Sequence, residues 1–428
     1  MELITVYEHS SLYKRDLESV FVDKADKVDK VYNALVNFFG DDKNDKFPYY
    51  SLIKDGIRFK QYVGVLCVGD LIIEVLPKAD KSKTDDKSDK STWRECLVHM
   101  LRRVYKLDVK SPSKAPQQLI SSPILDIFIN QFLNEVDSLL NRGLVKCYHR
   151  EEKNLFALKG KLLWNKHLSK NVIHKERFYV NYTSYDYEHI LNRILRQALE
   201  IIPIIAGNPS LKGRAISTLF NFPELKGLQI TNDLFTNISF DRKTEDYKHA
   251  IEIAKLLLLR YMPDTKHGKS NILALMFDMN KLWEEFVFRV LKKQLPHNYD
   301  VREQAPIQYW FSNKHYKTVR PDIVISEGEK IKAIIDTKWK CPDYDKDIGS
   351  IAPSDGDLHQ MFVYSRIFKT NQVALAYPGK PGSTSNSING YFECESWKAN
   401  CDMIFFPCEV SDWETNIGKT VEKWLGDK

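Results

Sequence analysis

Two carboxylates and an ammonium stand close together where Arg320-Pro321-Asp322-Ile323-Val324-Ile325 is followed by Ile334-Ile335-Asp336-Thr337-Lys338-Trp339-Lys340. Ile323, Val324 and Ile325 form a β-branched run, Glu327-Gly328-Glu329-Lys330 supplies turn chemistry, and Ile331 to Ile335 form a second apolar run that ends in Asp336. The pattern predicts a β-hairpin. It sets an acid at the start of one strand beside an acid at the end of its antiparallel neighbour, about 5 Å apart. Carboxylates that close repel unless a cation sits between them, and hard oxygen ligands on rigid strands suit one or two Mg²⁺ ions. Lys338 lies two residues beyond Asp336 and so on the same face. The chemistry this supports is hydrolysis of a phosphodiester. A cation on Asp322 and Asp336 would polarise a phosphoryl oxygen and activate water, while Lys338 orients that water or offsets developing charge. Acid-x-Lys triplets also occur at Glu151-Glu152-Lys153, Asp241-Arg242-Lys243 and Asp246-Tyr247-Lys248. The apolar strand ending in charge, with a Pro-Asp strand just upstream, sets Asp336-Thr337-Lys338 apart from them.

The elements around this pair must position it. Met279 to Leu295 has helical spacing. Within it Glu285 precedes Arg289 by four residues, a surface pairing. Glu284 instead shares a face with Val287, Phe288 and Leu291, where a carboxylate is expensive unless a cation or hydrogen bonds satisfy it. Glu284 is therefore expected as an outer or second metal ligand. Ser354-Asp355-Gly356-Asp357 offers N-cap chemistry for a helix carrying Leu358, Met361, Phe362 and Phe368 on one side. Gln360 and Tyr364, four apart on another side, could hydrogen-bond a phosphate or order Lys338. Gln372 to Tyr377 reads as a strand, Gly379 to Gly390 as a loop, Met403 to Phe406 as a strand and Trp413 to Leu425 as a helix.

Pro321-Asp322 with Asp336-x-Lys338 resembles the PD-(D/E)xK nuclease pattern, and Gln360-Met361-Phe362-Val363-Tyr364 resembles the Q-x-x-x-Y element of its RecB-like branch. More closely, the chain is similar to McrC-type subunits, through Phe277 to Val287, Arg320 to Lys340, Asp357 to Met361, Tyr62 to Leu66 and Glu74 to Lys78. That resemblance implies the nuclease subunit of a modified-cytosine restriction system, an anti-phage defence acting on DNA that contains modified cytosine. It also implies an McrB-type AAA+ GTPase ring as partner, and an acid on a helix ahead of the strands, which Glu284 matches. The expected catalytic set is Asp322, Asp336, Lys338, Glu284, Gln360 and Tyr364; the expected metal set is Asp322, Asp336, Thr337 and Glu284. A stand-alone RecB-like repair nuclease and a non-catalytic module that only stimulates a GTPase are the alternatives.

At 428 residues the chain has room for two or three domains. A hydrophobic fraction of 43% is ordinary for a globular protein, and no run approaches the ~18 apolar residues of a membrane span. The first residues lack a signal-peptide layout, so a cytoplasmic protein without membrane association is expected. Seven cysteines without C-x-x-C pairs support neither a disulfide framework nor a zinc ribbon. A net charge of +6 is mild, so any nucleic-acid contact must come from local patches. Residues 141 to 180 form such a patch: ten Lys or Arg against three Glu, a local balance of +7. DNA contacts are expected there at Lys159, Lys161 and Lys166.

Along the chain, residues 1–110 are expected to form a β-rich, partner-binding domain, with strands over Ile57 to Cys67 and Leu71 to Leu76. The charged run Lys78 to Lys90 is expected to be a mobile loop or linker, followed by a helix opened by a capping box from Thr92 to Glu95. Residues 111–270 are expected to be a basic, largely helical middle segment. Residues 271–428 are expected to be an α/β PD-(D/E)xK nuclease domain, a mixed sheet flanked by helices. Gly268-Lys269-Ser270 and Gly418-Lys419-Thr420 imitate the end of a phosphate-binding loop but lack its upstream glycine, so nucleotide hydrolysis is not expected of this chain.

Overall fold

A computed structural model describes residues 1–22, 24–40, 48–78, 87–107, 124–262, 271–312, 315–340, 352–379, 386–394, 397–408 and 412–426. It is a mixed α/β structure made of two compact units. One comprises Met1–Ile124 and Met276–Lys428, the other Leu125–Asp264 and Asn271–Leu275.

The first unit begins with β1 (Glu2–Tyr7), β2 (Ser11–Tyr13), α1 (Lys14–Val20), α2 (Ala25–Gly40), β3 (Tyr50–Ile53) and β4 (Gly56–Phe59). There follow β5 (Tyr62–Val68), β6 (Leu71–Leu76) and α3 (Lys87–Tyr105). Strands β5 and β6 form the expected hairpin, turning at Gly69 with φ 56°, a left-handed conformation that glycine adopts freely. β6 is buried along its whole length, and β1 adds to it in parallel. Glu74, in the middle of β6, is 0% exposed; Arg94 of α3 pairs with it, donating from Nε at 2.8 Å. A buried carboxylate without such a partner would be costly. The helix starts at Lys87, so Thr92 and Glu95 lie inside α3 and do not cap it. Its stripe Trp93, Leu97, Met100, Leu101 and Val104 is buried as the spacing predicts. Residues 87–90 of the charged run belong to α3, and residues 79–86 lie outside the described residues.

The second unit contains α4 (Ile124–Arg142), β7 (Cys147–Leu155), β8 (Lys161–Leu162), α5 (Trp164–Lys170), β9 (Phe178–Asp186), α6 (Ile190–Ile205), α7 (Pro209–Phe220), α8 (Asn232–Thr236), α9 (Lys248–Arg260) and β10 (Tyr261–Met262). Helices dominate most of it, but the basic patch does not fit the helical expectation. It sits on a three-stranded antiparallel sheet in the order β7-β9-β8, together with the short helix α5. The reason is visible in β9, Phe-Tyr-Val-Asn-Tyr-Thr-Ser-Tyr-Asp, whose aromatic and β-branched side chains favour a pleated surface.

β11 (Ile272–Asp278) crosses back into the first unit and leads into α10 (Met279–Gln294), capped by the Asp278 carboxylate, which accepts from the Asn280 and Lys281 amides. There follow β12 (Tyr299–Glu303), β13 (Ile307–Phe311), β14 (Tyr316–Val319), β15 (Ile323–Glu327), β16 (Lys330–Thr337), α11 (Asp355–Phe368), β17 (Gln372–Gly379), β18 (Asn386–Ile388), β19 (Tyr391–Cys394), β20 (Trp397–Pro407) and α12 (Trp413–Gly426). A mixed sheet runs β12-β15-β16-β17-β20-β18, with β19 also on β20. β16, β17 and β20 are mutually parallel, and β12, β15 and β16 are antiparallel.

Side chains alternate across this sheet. Val324, Ile334, Val373, Leu375, Tyr377 and Met403 pack with Met361, Tyr364 and Phe368 of α11. On the other face lies an aromatic layer, in which Trp283 is 5.5 Å from Trp339 and 6.0 Å from Trp413. Trp93 of α3 reaches Trp339 at 6.4 Å, and the Trp339 indole donates to Glu8, just after β1, at 2.7 Å. These buried contacts explain why residues expected as separate first and last domains share one compact unit.

Gly418-Lys419-Thr420 lies within α12, and Gly268-Lys269-Ser270 falls outside the described residues. A Cβ at Gly418 would meet Gln294 Cβ at 2.5 Å, so the glycine permits close packing of α12 on α10. Gly418→Ala is expected to destabilise by about 1–3 kcal/mol through overpacking. Gly213→Ala, in α7 with open space around it, is expected to be neutral or to stabilise by about 0.5–1 kcal/mol. Urea denaturation of both variants checks the contrast, and equal effects would contradict it.

Candidate active site

The β15/β16 register pairs Ile323 with Ile335, which puts Asp322 and Asp336 at the next rung of the hairpin. The Asp322 carboxylate is held by Thr337, whose amide and hydroxyl both donate to Oδ2 at 2.7 Å. Asp336 is 1% exposed and shares its face of β16 with Ile334, towards α11. Lys338 continues that face. Its amide is tied to the Ala376 carbonyl at 2.9 Å, and its ammonium lies 2.5 Å from Asp336 Oδ2 and 3.7 Å from Asp357 Oδ1.

Helix α11 brings Gln360 and Tyr364 to the same place. Lys338 Nζ donates to Gln360 Oε1 at 3.2 Å, and Gln360 Nε2 donates to Asp336 Oδ1 at 3.3 Å and to the Tyr364 hydroxyl at 2.6 Å. The Tyr364 hydroxyl in turn donates to the Arg320 carbonyl at 3.2 Å. The amide and hydroxyl thus orient the lysine and fasten the backbone just ahead of Asp322.

Burial is the largest influence on these charges. It pushes the Asp336 carboxyl up to about 7, the Asp322 charge adds to the rise, and Lys338 opposes it. Asp322 is also raised by burial, against the Thr337 hydrogen bonds and Lys338. Burial works against the Lys338 ammonium, yet Asp336, Asp357 and Asp322 outweigh it and raise its pKa.

Glu284 stands apart. It is half-buried on α10, and its Oε1 accepts from Gln304 Nε2 at 2.7 Å. The Gln304 amide donates to the Asp322 carbonyl at 3.0 Å, so one residue bridges α10 and the segment that leads into β15. Burial and the Asp322 charge raise the Glu284 pKa. Among the described residues, however, no three His, Cys, Asp or Glu side chains converge as a metal cluster. Glu284 does not join the two aspartates around one position, because Gln304 holds its carboxylate. Thr337 likewise directs its amide and hydroxyl to Asp322. Glu285, as its spacing predicts, pairs with Arg289 at 2.6 Å.

The aspartate pair itself fits a hard divalent cation. Mg²⁺ keeps several waters and needs only one or two carboxylates. Asp336 Oδ2 is buried and makes no directed hydrogen bond despite the nearby ammonium. A cation between the two aspartates would also relieve the repulsion that raises Asp336.

Sequence reasoning missed two members of this arrangement. Asp357, by sequence part of a helix cap and of the Asp357 to Met361 stretch but given no role in the site, pairs with Lys340 and lies within reach of Lys338. Burial opposes its charge, but Lys340 and Ser354 hold its pKa below the usual carboxylate range. Its place one turn ahead of Gln360 was the available signal. Gln304, the other, carried none. The three lysines expected at DNA lie in the second unit and are all exposed. Lys159 sits 4.3 Å over the Tyr182 ring, Lys161 lies on β8, and Lys166 is ion-paired with Glu152.

A family model described as McrBC 5-methylcytosine restriction system component matches residues 57–378. This chain belongs to that family. Its fold is similar to a chain in the solved structure described as a refined half-complex from a tetradecameric assembly of Thermococcus gammatolerans McrB AAA+ hexamers with bound McrC. The TM-score is 0.65 at 20% identity, covering 99% of this chain and 100% of that one. A chain in the cryo-EM structure of the T. gammatolerans McrBC complex matches with a TM-score of 0.47 at 22% identity, over 70% of this chain and 89% of that one. Among curated proteins, none matches. In this McrBC-family chain, no helix among the described residues is long and apolar enough to cross a membrane.

The raised Asp336 pKa sets a pH dependence for the McrBC-family fold. Folding favours the neutral carboxyl, so this contribution to stability is fully present below the unfolded pKa of about 4 and is lost as pH rises through about 7. Asp336→Asn removes that loss. Its melting temperature relative to the wild-type chain, measured without divalent cations, is expected to rise between about pH 4 and about pH 8. A relative melting temperature that falls over that range would refute the assignment.

Proposed function

We propose that this McrBC-family chain is the McrC-type, Mg²⁺-dependent DNA endonuclease subunit of a modification-dependent restriction complex, with its C-terminal sheet acting as a PD-(D/E)xK nuclease. The observation that carries this reading is the pairing of Asp322 and Asp336 at one rung of a buried hairpin, with Lys338 on the same face under the control of Gln360 and Tyr364. Purely structural ion pairs do not need two buried carboxylates side by side.

Asp322 and Asp336 would hold the cation, and Glu284, if turned from Gln304, is a candidate for an outer contact. Mg²⁺, when bound, supplies Lewis acidity toward the phosphoryl oxygen of the scissile bond. Thr337 fixes the Asp322 carboxylate so that it does not reorient as the substrate arrives. Lys338 carries its proton throughout, because three carboxylates raise its pKa, and its positive charge faces the negative charge that grows on phosphorus-bound oxygens. Gln360 accepts a second hydrogen bond from the ammonium and so helps to orient it beside Asp336. Asp336 must be ionised to hold the cation, and burial pushes its carboxyl up to about 7 in the cation's absence.

The substrate in this reading is DNA containing modified cytosine, and the partner is an McrB-type AAA+ GTPase ring. The family description and the McrB hexamers with bound McrC in the structural neighbour support both. The exposed lysines Lys159, Lys161 and Lys166 are proposed DNA contacts in the second unit.

Asp336→Asn and Lys338→Ala are each expected to slow plasmid cleavage by about 100- to 1000-fold, with DNA affinity nearly unchanged for Lys338→Ala. Cleavage assays with and without the partner GTPase check this; wild-type rates in either variant would remove that residue from the mechanism. Reversing Lys159, Lys161 and Lys166 to Glu is expected to flatten the salt dependence of DNA binding, by about 0.9 in the slope of log K against log salt for each phosphate no longer neutralised. An unchanged slope would take these lysines off the DNA.

A further inference from the structure

The hairpin β13/β14 lies directly between Gln304 and Arg320, the residues that lead into the catalytic strand. Its base is fixed to the site from both sides. Gln304 contacts the Asp322 backbone and the Glu284 carboxylate, and the Arg320 carbonyl accepts from Tyr364. Ile307 and Val319, paired across the base, pack against the α11 core. Beyond the base the hairpin pairs only with itself among the described residues.

Its outer half does not look like ordinary surface. A bulge at Tyr309 sets Trp310 opposite Lys317 and Phe311 opposite Tyr316. Tyr309 and Trp310 are each 49% exposed, Phe311 65% and Tyr316 61%. Four large aromatic side chains held in water on one two-stranded element cost free energy unless something covers them. The charge narrows what that can be. Residues 304–321 contain Lys314, Lys317 and Arg320 and no Asp or Glu, although the catalytic cluster they border is acidic. Lys317 and Arg320 are exposed. Aromatic faces interleaved with cations suit a polyanion with stackable bases. Duplex-binding proteins insert apolar wedges between base steps, and aromatic faces stack on bases without regard to sequence.

We propose that β13/β14 is a DNA-gripping hairpin, which sets Trp310, Phe311 and Tyr316 against the bases of duplex DNA and Lys317 and Arg320 on its phosphates, beside the bond to be cut. This rests on the nuclease reading above and deepens it. Anchorage to Asp322, Glu284 and Tyr364 means that a duplex held on the hairpin is placed relative to the carboxylates and not merely retained by the protein.

The test uses the full-length chain, a fluorescein-labelled duplex of random sequence and EDTA, so that binding is read without cleavage. Trp310→Ala with Phe311→Ala is expected to weaken binding at least about 10-fold, as loss of base stacking does. A 2-aminopurine placed in the duplex should brighten with the wild-type chain and stay dark with the variant. Lys317→Ala should lower the salt slope by about 0.9. Mg²⁺ binding by titration calorimetry should be unchanged in all variants. Wild-type affinity and 2-aminopurine brightening in the double variant would overturn the proposal. So would retained DNA affinity with lost association to an AAA+ ring, which would make the hairpin a protein-docking element. Should the double variant melt early, the Lys317→Ala slope decides alone. A wild-type chain that binds the duplex through the hairpin but never cleaves modified-cytosine DNA when Mg²⁺, GTP and the partner ring are supplied would sink the nuclease reading and leave the hairpin standing.

Discussion

Two carboxylates at the same rung of a buried hairpin repel, and much of the first unit is arranged around that repulsion. Asp322 and Asp336 sit where water is scarce, and burial raises the pKa of each. The chain answers with Lys338 on the same face, with two hydrogen bonds from Thr337, and with the Gln360 amide of α11, which donates to Asp336. No single one of these offsets the cost. Together they hold the two carboxyl groups side by side.

Rigidity comes from the opposite face of the sheet. Trp283, Trp339 and Trp413 interlock there, and Trp283 Nε1 reaches the Ala376 carbonyl on β17 at 3.4 Å. Since Trp339 follows Lys338, whatever holds its indole also limits the motion of the lysine. Glu8 does part of that. Its carboxyl, pushed up to about 7 chiefly by burial, accepts from the Trp339 indole and from the Lys78 amide. The N-terminal strands thereby belong to the frame of the site, which a division at residue 110 would have cut away.

The second unit solves a different problem. Its core is helical, yet its basic residues ride on a small sheet with exposed Tyr148, Phe156 and Trp164 nearby. Cations there are partly engaged, with Lys166 on Glu152 and Lys153 on Glu151, pairs that the +7 of that stretch already counts as neutral. Surface pairs of this kind are weak and exchange readily for a stronger anion.

Residue order alone determined that a hairpin stands at the centre of the site. β-branched apolar runs, a Gly turn and acids at matching ends predict the two strands and their turn, while a bulge between Ile325 and Ser326 completes the register that brings Asp322 to Asp336. The spacing of Gln360 and Tyr364 likewise dictated a shared helix face. Tertiary structure decided the rest, because the deciding contacts join residues far apart in sequence. The apolar neighbours of Glu284 on its own helix point to a ligand, but a glutamine twenty residues on holds its carboxylate. Asp357 became part of the charge cluster only when α11 docked on β16. Charge marks the basic stretch, but its strands are set by pairing between Cys147–Leu155 and Phe178–Asp186, partners that charge counting does not see. Local pattern specifies elements; long-range packing chooses which charges meet.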